Sequence, residues 1–165
     1  MPQANMIPQT PPHPNVTAVR QRLEASGVPA EILILDEGVH TAAAAAQALG
    51  VEVGQIANSL IFDADGEPLL VLTSGAHRVD TAKVADRLGV SKLKRATPEF
   101  VREHTGQAIG GVAPVGHPHP VCTLLDSTLR RYDVIWAAGG VPQAVFPITY
   151  DELLSVTKAT EAEVA

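Results

Sequence analysis

Cysteine is almost missing from this sequence: its 165 residues hold one, Cys122. A single thiol closes no intrachain disulfide, so a disulfide framework is excluded and a cytoplasmic home is expected. Long apolar runs are missing too. Runs such as residues 42–46 and 69–72 fall far short of the roughly 18 to 20 residues that span a bilayer, and no membrane segment is expected. Positive charge is in short supply: 12 Lys and Arg stand against 18 Asp and Glu, a net charge of −6. Broad, non-specific binding to a phosphate backbone draws on many cations, so DNA is not an expected partner and a nucleic-acid ligand needs a local site.

What is present suits one domain. A hydrophobic content of 45% over this length supports a real core that buries about 70% of the unfolded surface. Residues 1–14, rich in proline and polar groups, lack both the basic start and the apolar stretch of a signal peptide and read as a disordered tail. Helical spacing of Val16, Val19 and Leu23 predicts a first helix over 16–26, and residues 32–35 read as a short buried strand. Thr41 and Gly50 bracket an alanine-rich helix, Asp80 and Gly89 bracket a second, and Thr97 with Pro98 opens a third that Gly106 ends. Asp65-Gly66 between two strand-like runs predicts a hairpin. Further strands are expected over 121–126 and 133–139, with an edge strand around 145–148, then a last helix capped by Thr149. The fold class is therefore α/β (α+β): one compact domain over 15–157, a mixed, mostly antiparallel sheet or partial barrel surrounded by helices, with 158–165 expected to fray.

The stretch 106–120, GQAIGGVAPVGHPHP, carries four glycines, three prolines and two histidines, a mixture unsuited to a helix or a central strand. No Gly-Lys-Ser/Thr follows it, so it is not a phosphate loop. Gly110 and Gly111 can instead expose bare amides able to polarise a carbonyl oxygen, with Pro114 fixing the exit; a glycine turn that only avoids a clash is the plainer reading. His117, His119 and Cys122 are metal-capable, but no carboxylate or second cysteine completes a cluster; the plainer reading is a surface turn entering a strand, with Cys122 a small core residue. Ser74, His77 and Asp80 contain the groups of a hydrolytic triad, yet no nucleophile elbow accompanies them and Asp80 serves better as a helix cap.

Taken in order, TAAAAAQALGV, QIANSLIF, the hairpin DADGEPLLVLTSGAHRVD, TAKVADRLG, GQAIGGVAPVGH, LLD and AAGG resemble the YbaK/ProX-like aminoacyl-tRNA deacylases and the related editing insertion of bacterial prolyl-tRNA synthetases, over roughly 41–154. In that family a glycine four residues before a proline marks the pocket for the aminoacyl ester, and Gly110 and Pro114 fit the pattern. The resemblance implies a trans-editing hydrolase that removes a mischarged amino acid from the 3′ end of transfer RNA. It uses backbone amides and groups of the substrate, without cofactor or metal, and prolyl-tRNA synthetase is a second partner. It assigns Gly110, Gly111 and Asn58 to catalysis and Thr41, Ser59, Ser74, His77, Pro114, Asp126 and Gly139 to substrate binding. One departure stands out. The family commonly has Lys before Ser/Thr-Leu, where this chain has Asn58; His77, Arg78 and Lys83 are the cations near enough in sequence to substitute. A non-catalytic module that grips aminoacyl-tRNA or a synthetase is the alternative, and a metal-dependent hydrolase built on His117, His119 and Cys122 a third.

Overall fold

The computed structural model describes residues 13–36, 38, 39 and 41–165. The expected disordered tail falls, for residues 1–12, outside the described residues. Its last two positions do not, and they are ordered into a helix rather than a tail: α1 runs Pro14–Ala25, with Pro14 in the first turn and the His13 ring accepting the Asn15 N–H at 3.0 Å. A proline there costs nothing, because the first amides of a helix have no intrahelical partner.

After α1 come β1 (Leu33–Ile34), α2 (Ala42–Leu49), β2 (Ile56–Ala64), β3 (Glu67–Ser74), α3 (Thr81–Leu88), β4 (Leu93–Arg95), α4 (Pro98–Thr105), β5 (Cys122–Asp126), β6 (Ile135–Ala138), β7 (Ala144–Ile148), α5 (Tyr150–Thr157) and β8 (Thr160–Ala162). The expected caps form. Thr41, Asp80, Thr97 and Thr149 each accept an amide from the first turn of their helix, and Gly50, Gly89 and Gly106 end theirs in the left-handed region. The β2–β3 hairpin turns at Asp65 and Gly66, both at positive φ.

The sheet has eight strands in the order β1-β7-β6-β2-β3-β5-β8, with β4 on β2. Four pairings are antiparallel and three, β2–β6, β3–β5 and β5–β8, are parallel. This is the expected mixed α/β domain. Side chains alternate across it. Ala57, Ile61, Leu70, Leu72 and Leu125 face a core closed by α1, α4 and α5 through Val19, Leu23, Val101 and Leu153. On the other face Phe62, Leu69, Val71 and Leu124 pack on Val84 and Ala85 of α3, and Ile56 on Ala45 and Ala46 of α2. One feature of β2 matters below. Along one edge it is paired with β3 throughout; along the other, β6 covers Ile56 and Ala57 and β4 covers Phe62 to Ala64. Among the described residues no strand pairs with the edge between Asn58 and Ile61.

Four expectations are corrected. The run 32–35 is not a buried strand: only Leu33 and Ile34 pair, at the sheet's end, where they are 45% and 67% exposed. The strand containing Pro147 is internal, between β1 and β6, but β1 reaches only Ala144 and Val145, so the proline sits where one side of β7 is free. Cys122 is exposed at the start of β5 rather than in the core. Residues 158–165 do not fray. Their alternation TEAEV lets β8 pair with β5 and bury Ala162 and Val164, while Asp80 N–H donates to the Val164 carbonyl at 2.7 Å and the Tyr150 hydroxyl to Glu161 at 2.8 Å.

Candidate active site

Parallel pairing of β5 with β3 carries the carboxylate of Asp126 alongside Thr73 and Ser74. Asp126 is fully buried. Its Oδ2 accepts the Ser74 N–H at 2.9 Å and the Thr73 hydroxyl at 3.4 Å and touches His77 Nε2; its Oδ1 accepts the Thr128 N–H at 3.0 Å and hydroxyl at 2.7 Å. Burial pushes this carboxyl up, but the Ser74 amide, the two Thr128 donors and His77 outweigh it and hold Asp126 below the usual carboxylate range. The buried group is thus an anion with its lone pairs used.

The turn after β3 is shaped by the same residues. The Ser74 hydroxyl donates to the Gly54 carbonyl at 2.8 Å and accepts the Ala76 N–H at 3.3 Å. Gly75 is required here: a Cβ would lie 2.5 Å from the Val53 carbonyl oxygen and 3.0 Å from the Ala42 Cβ. The 74–77 turn therefore rests on the N-terminus of α2, where Thr41 caps Ala44 at 3.0 Å. Thr41, Ser74, His77 and Asp126 form one neighbourhood. Asn58, half-buried, lies across the ladder from Thr73 and shares its face of the sheet. Ser59 faces the other way, toward the Ala57 and Ile61 side, and its hydroxyl is buried without a hydrogen-bond partner.

The glycine-rich loop is built on that second face. Gly106 ends α4 at φ +73. Gln107, 2% exposed, then spans the loop: its Oε1 accepts the Ala113 N–H at 2.7 Å, while the Thr105 hydroxyl accepts its own N–H at 3.0 Å. The Gly111 N–H donates to the Ala108 carbonyl at 2.9 Å, and His117 Nε2 donates to the Ala113 carbonyl at 2.7 Å. Burial holds His117 below the ordinary histidine value, with the Ala113 carbonyl opposing it. Val112, Ala113, Pro114 and Val115 are buried, whereas Gly110 at the tip is exposed, at φ +88, with open space where a Cβ would stand. Gly111 is the reverse: a Cβ would meet Pro142 and Val141 backbone at 2.9 Å. The two glycine amides are therefore not equivalent. That of Gly111 is committed to the turn, and that of Gly110 has no acceptor among the described residues.

The loop body and Asn58 occupy opposite faces of β2, and the two faces join at its open edge, residues 58–61. Gly139 follows β6 just beyond its parallel pairing of Ala137 with Ala57, on the side of the open edge; a Cβ there would meet Ala144 and Ile32, so its smallness also serves the β6–β7 turn. Asp80 is the α3 cap, and Ser74 Oγ is turned to Gly54 rather than to His77, so no serine nucleophile is assembled. Lys83 is engaged by Glu163 and the Ala165 carbonyl, and Arg78 is exposed. The described residues contain no group of three His, Cys, Asp or Glu that could hold a metal. Two surface concavities, one near Pro29, Val134 and Thr149 and the other near Ser26, Val28 and Ser155, contain none of the site residues.

The sequence model of the aminoacyl-tRNA editing domain matches residues 36–156. The chain belongs to the aminoacyl-tRNA editing domain family. Hydrolytic removal of an amino acid from mischarged transfer RNA is accordingly its activity class. Editing-domain relatives agree in sequence and shape. The uncharacterised protein YwhH of Bacillus subtilis is 34% identical over 110 residues, 66% of this chain and 69% of that one. A proline--tRNA ligase of Nitratidesulfovibrio vulgaris is 35% identical over 102 residues, 62% of this chain but 18% of the ligase, so the editing domain corresponds to a small part of that enzyme. A solved structure of a candidate trans-editing enzyme for prolyl tRNA synthetase superimposes with a TM-score of 0.87 at 44% identity, over 93% of this chain and 98% of that one. Within this editing domain sequence reasoning missed Gln107. Its signal was an amide side chain directly after a helix-ending glycine, at the root of a loop whose amides need an internal acceptor.

Proposed function

We propose that this protein is a free-standing deacylase whose substrate end lies along the open edge of β2, between the Gly110 tip and the Asn58, Thr73 and Asp126 side. The free amide of Gly110 is the observation that carries this reading, since a backbone N–H held without an acceptor at an exposed loop tip is what a developing oxyanion requires. Water adds to the ester carbonyl, the negative charge forms on its oxygen next to that amide, and the bond to the ribose oxygen breaks. The ribose oxygen takes up the proton that the water gave and becomes a hydroxyl, and the amino acid leaves. Asn58 supplies neutral hydrogen bonds to the terminal ribose or phosphate where the family commonly offers a lysine charge. Asp126 acts at one remove: it fixes His77 and the 74–77 turn at the mouth beside Thr41. Pro114 and Gly111 hold the loop, and Ser59 offers its unpaired hydroxyl from beneath. The protein works in the cytoplasm, with prolyl-tRNA synthetase as its functional partner, because a candidate trans-editing enzyme for that synthetase shares its fold over nearly its whole length.

A second reading, a module that binds aminoacyl-tRNA without hydrolysing it, rests on Asn58 alone. One assay separates the two. The purified protein is incubated with a panel of mischarged transfer RNAs, with and without prolyl-tRNA synthetase, and released amino acid is measured beside filter retention. Release above buffer supports the deacylase; retention without release on every member refutes it.

A further inference from the structure

The chain's scarce positive charge is gathered in one place. Residues 87–102 contain five of the twelve Lys and Arg, Arg87, Lys92, Lys94, Arg95 and Arg102, and one of the eighteen Asp and Glu, Glu99. The segment is +4, and the remainder, with seven cations against seventeen anions, is −10. All five cations are exposed, and none is in an ion pair among the described residues. Arg87 donates to a backbone carbonyl, that of Glu161, which leaves its charge uncompensated. Anions border the band without pairing into it: exposed Asp86 and Glu103 are the chain neighbours of Arg87 and Arg102, Asp63, which accepts the Gly66 amide, lies across the ladder from Lys94, and Asp65, held by Ser91, feels the Lys94 charge.

The fold makes these residues a band. Arg87 closes α3 on one face of the sheet, Lys94 and Arg95 lie on the edge strand β4, and Arg102 is on α4 over the other face. The band thus wraps the edge that carries the candidate site. Arg95 pairs with Phe62, four residues along β2 from Asn58, so the two positions are about 13 Å apart at the usual strand rise. That distance equals about four stacked nucleotides.

We propose that Arg87, Lys92, Lys94, Arg95 and Arg102 form the docking surface for the phosphate backbone of the RNA acceptor stem, while the single-stranded end reaches past β4 to the open edge of β2. The identity of the RNA rests on the deacylase reading; the affinity of the band for an RNA backbone does not. In a chain of net charge −6 this concentration of cations makes binding local and oriented, because the rest of the surface repels the same polyanion.

The test uses the whole protein and an uncharged RNA hairpin with an acceptor-stem duplex and a single-stranded 3′ tail, titrated at several salt concentrations. K92E/R95E is compared with wild type and with R22E/K158E, a pair of exposed cations outside the band carrying the same change in charge. Each phosphate contact contributes about 0.7 to 0.9 to the slope of log K against log salt, so K92E/R95E is expected to lower the slope by about 1.5. It should weaken low-salt binding by at least about tenfold with an unchanged melting curve, while R22E/K158E stays within about twofold of wild type. On a mischarged transfer RNA, K92E/R95E should raise KM and leave kcat unchanged. Equal affinity and slope for the two double variants would overturn the proposal and leave the band to an acidic protein surface; so would a wild type that does not bind the hairpin at low salt. A wild type that binds with the predicted slope but hydrolyses nothing would sink the deacylase reading alone.

Discussion

Replacing Asp126 by Ala tests the buried network through its energy. The Ser74 N–H is buried and loses its acceptor, a penalty of about 1–3 kcal/mol. Asp126 also caps the 3₁₀ turn over Ser127–Arg131 by accepting the Thr128 N–H, and losing a cap costs about 1 kcal/mol. Thr128 and His77 add little more, because both reach solvent. The sum is about 2–4 kcal/mol, which at roughly 2–4 °C per kcal/mol for a domain of this size lowers Tm by about 4–16 °C. Asp126→Asn keeps one acceptor for Ser74 and should fall by less. Acid adds a second readout. The native carboxyl sits below its unfolded value, so its contribution is fully present above the unfolded pKa, near 4, and is lost as pH falls through the lower native value. Wild type should therefore lose stability in that acid window more steeply than Asp126→Asn, followed by thermal melts between neutral pH and pH 2. A Tm change under about 2 °C for Asp126→Ala, or parallel acid profiles, would refute the anchoring role.

The two loop glycines should separate. Gly110→Ala has room for its methyl and should fold, with modest strain from the positive φ, yet lose about 10²–10³ in single-turnover rate because the methyl obstructs the approach to the amide; wild-type turnover would return the loop to a mere turn. Gly111→Ala meets the Val141 and Pro142 backbone and should instead fail in a melting assay, by several degrees. Gln107→Leu leaves the buried Ala113 N–H without an acceptor, at about 1–3 kcal/mol, and should lower both Tm and deacylation, whereas Gln107→Glu, which keeps the acceptor, should retain more of each.

Much of the fold was legible because its punctuation is local. Thr41, Asp80, Thr97 and Thr149 cap the helices they were expected to cap, and Asp65-Gly66 makes the expected hairpin. What was not legible depends on distant pairing. Strand β8 exists because parallel pairing with β5 gives TEAEV a face to bury, and β4 because Phe62 to Ala64 offer it an edge. Residues 32–35 look apolar enough to be buried, but only two of them find partners, at the end of the sheet. The site divides in the same way. Ser74, His77 and Asp126 come together as one unit; only the family resemblance grouped them, because spacing alone offered His77 no carboxylate once Asp80 was read as a helix cap, and it is the β3–β5 register that brings Asp126, some fifty positions away, into place. Sequence also treated Gly110 and Gly111 alike, and their difference lies in what surrounds them.

Asn58 decides the central claim, since it stands where a lysine charge is common in the family and on the side of β2 that carries Thr73 and Asp126. The measurement is single-turnover release of amino acid from one mischarged transfer RNA by wild type, Asn58→Ala and Asn58→Lys. Neutral hydrogen bonds of about 1 kcal/mol each predict an active wild type, an alanine variant slower by about fivefold or more, and a lysine variant at least as active as wild type, its charge kept by the wet edge. An alanine variant as fast as wild type would remove Asn58 from the site, and a wild type without activity beside an active Asn58→Lys would show a site retired from catalysis.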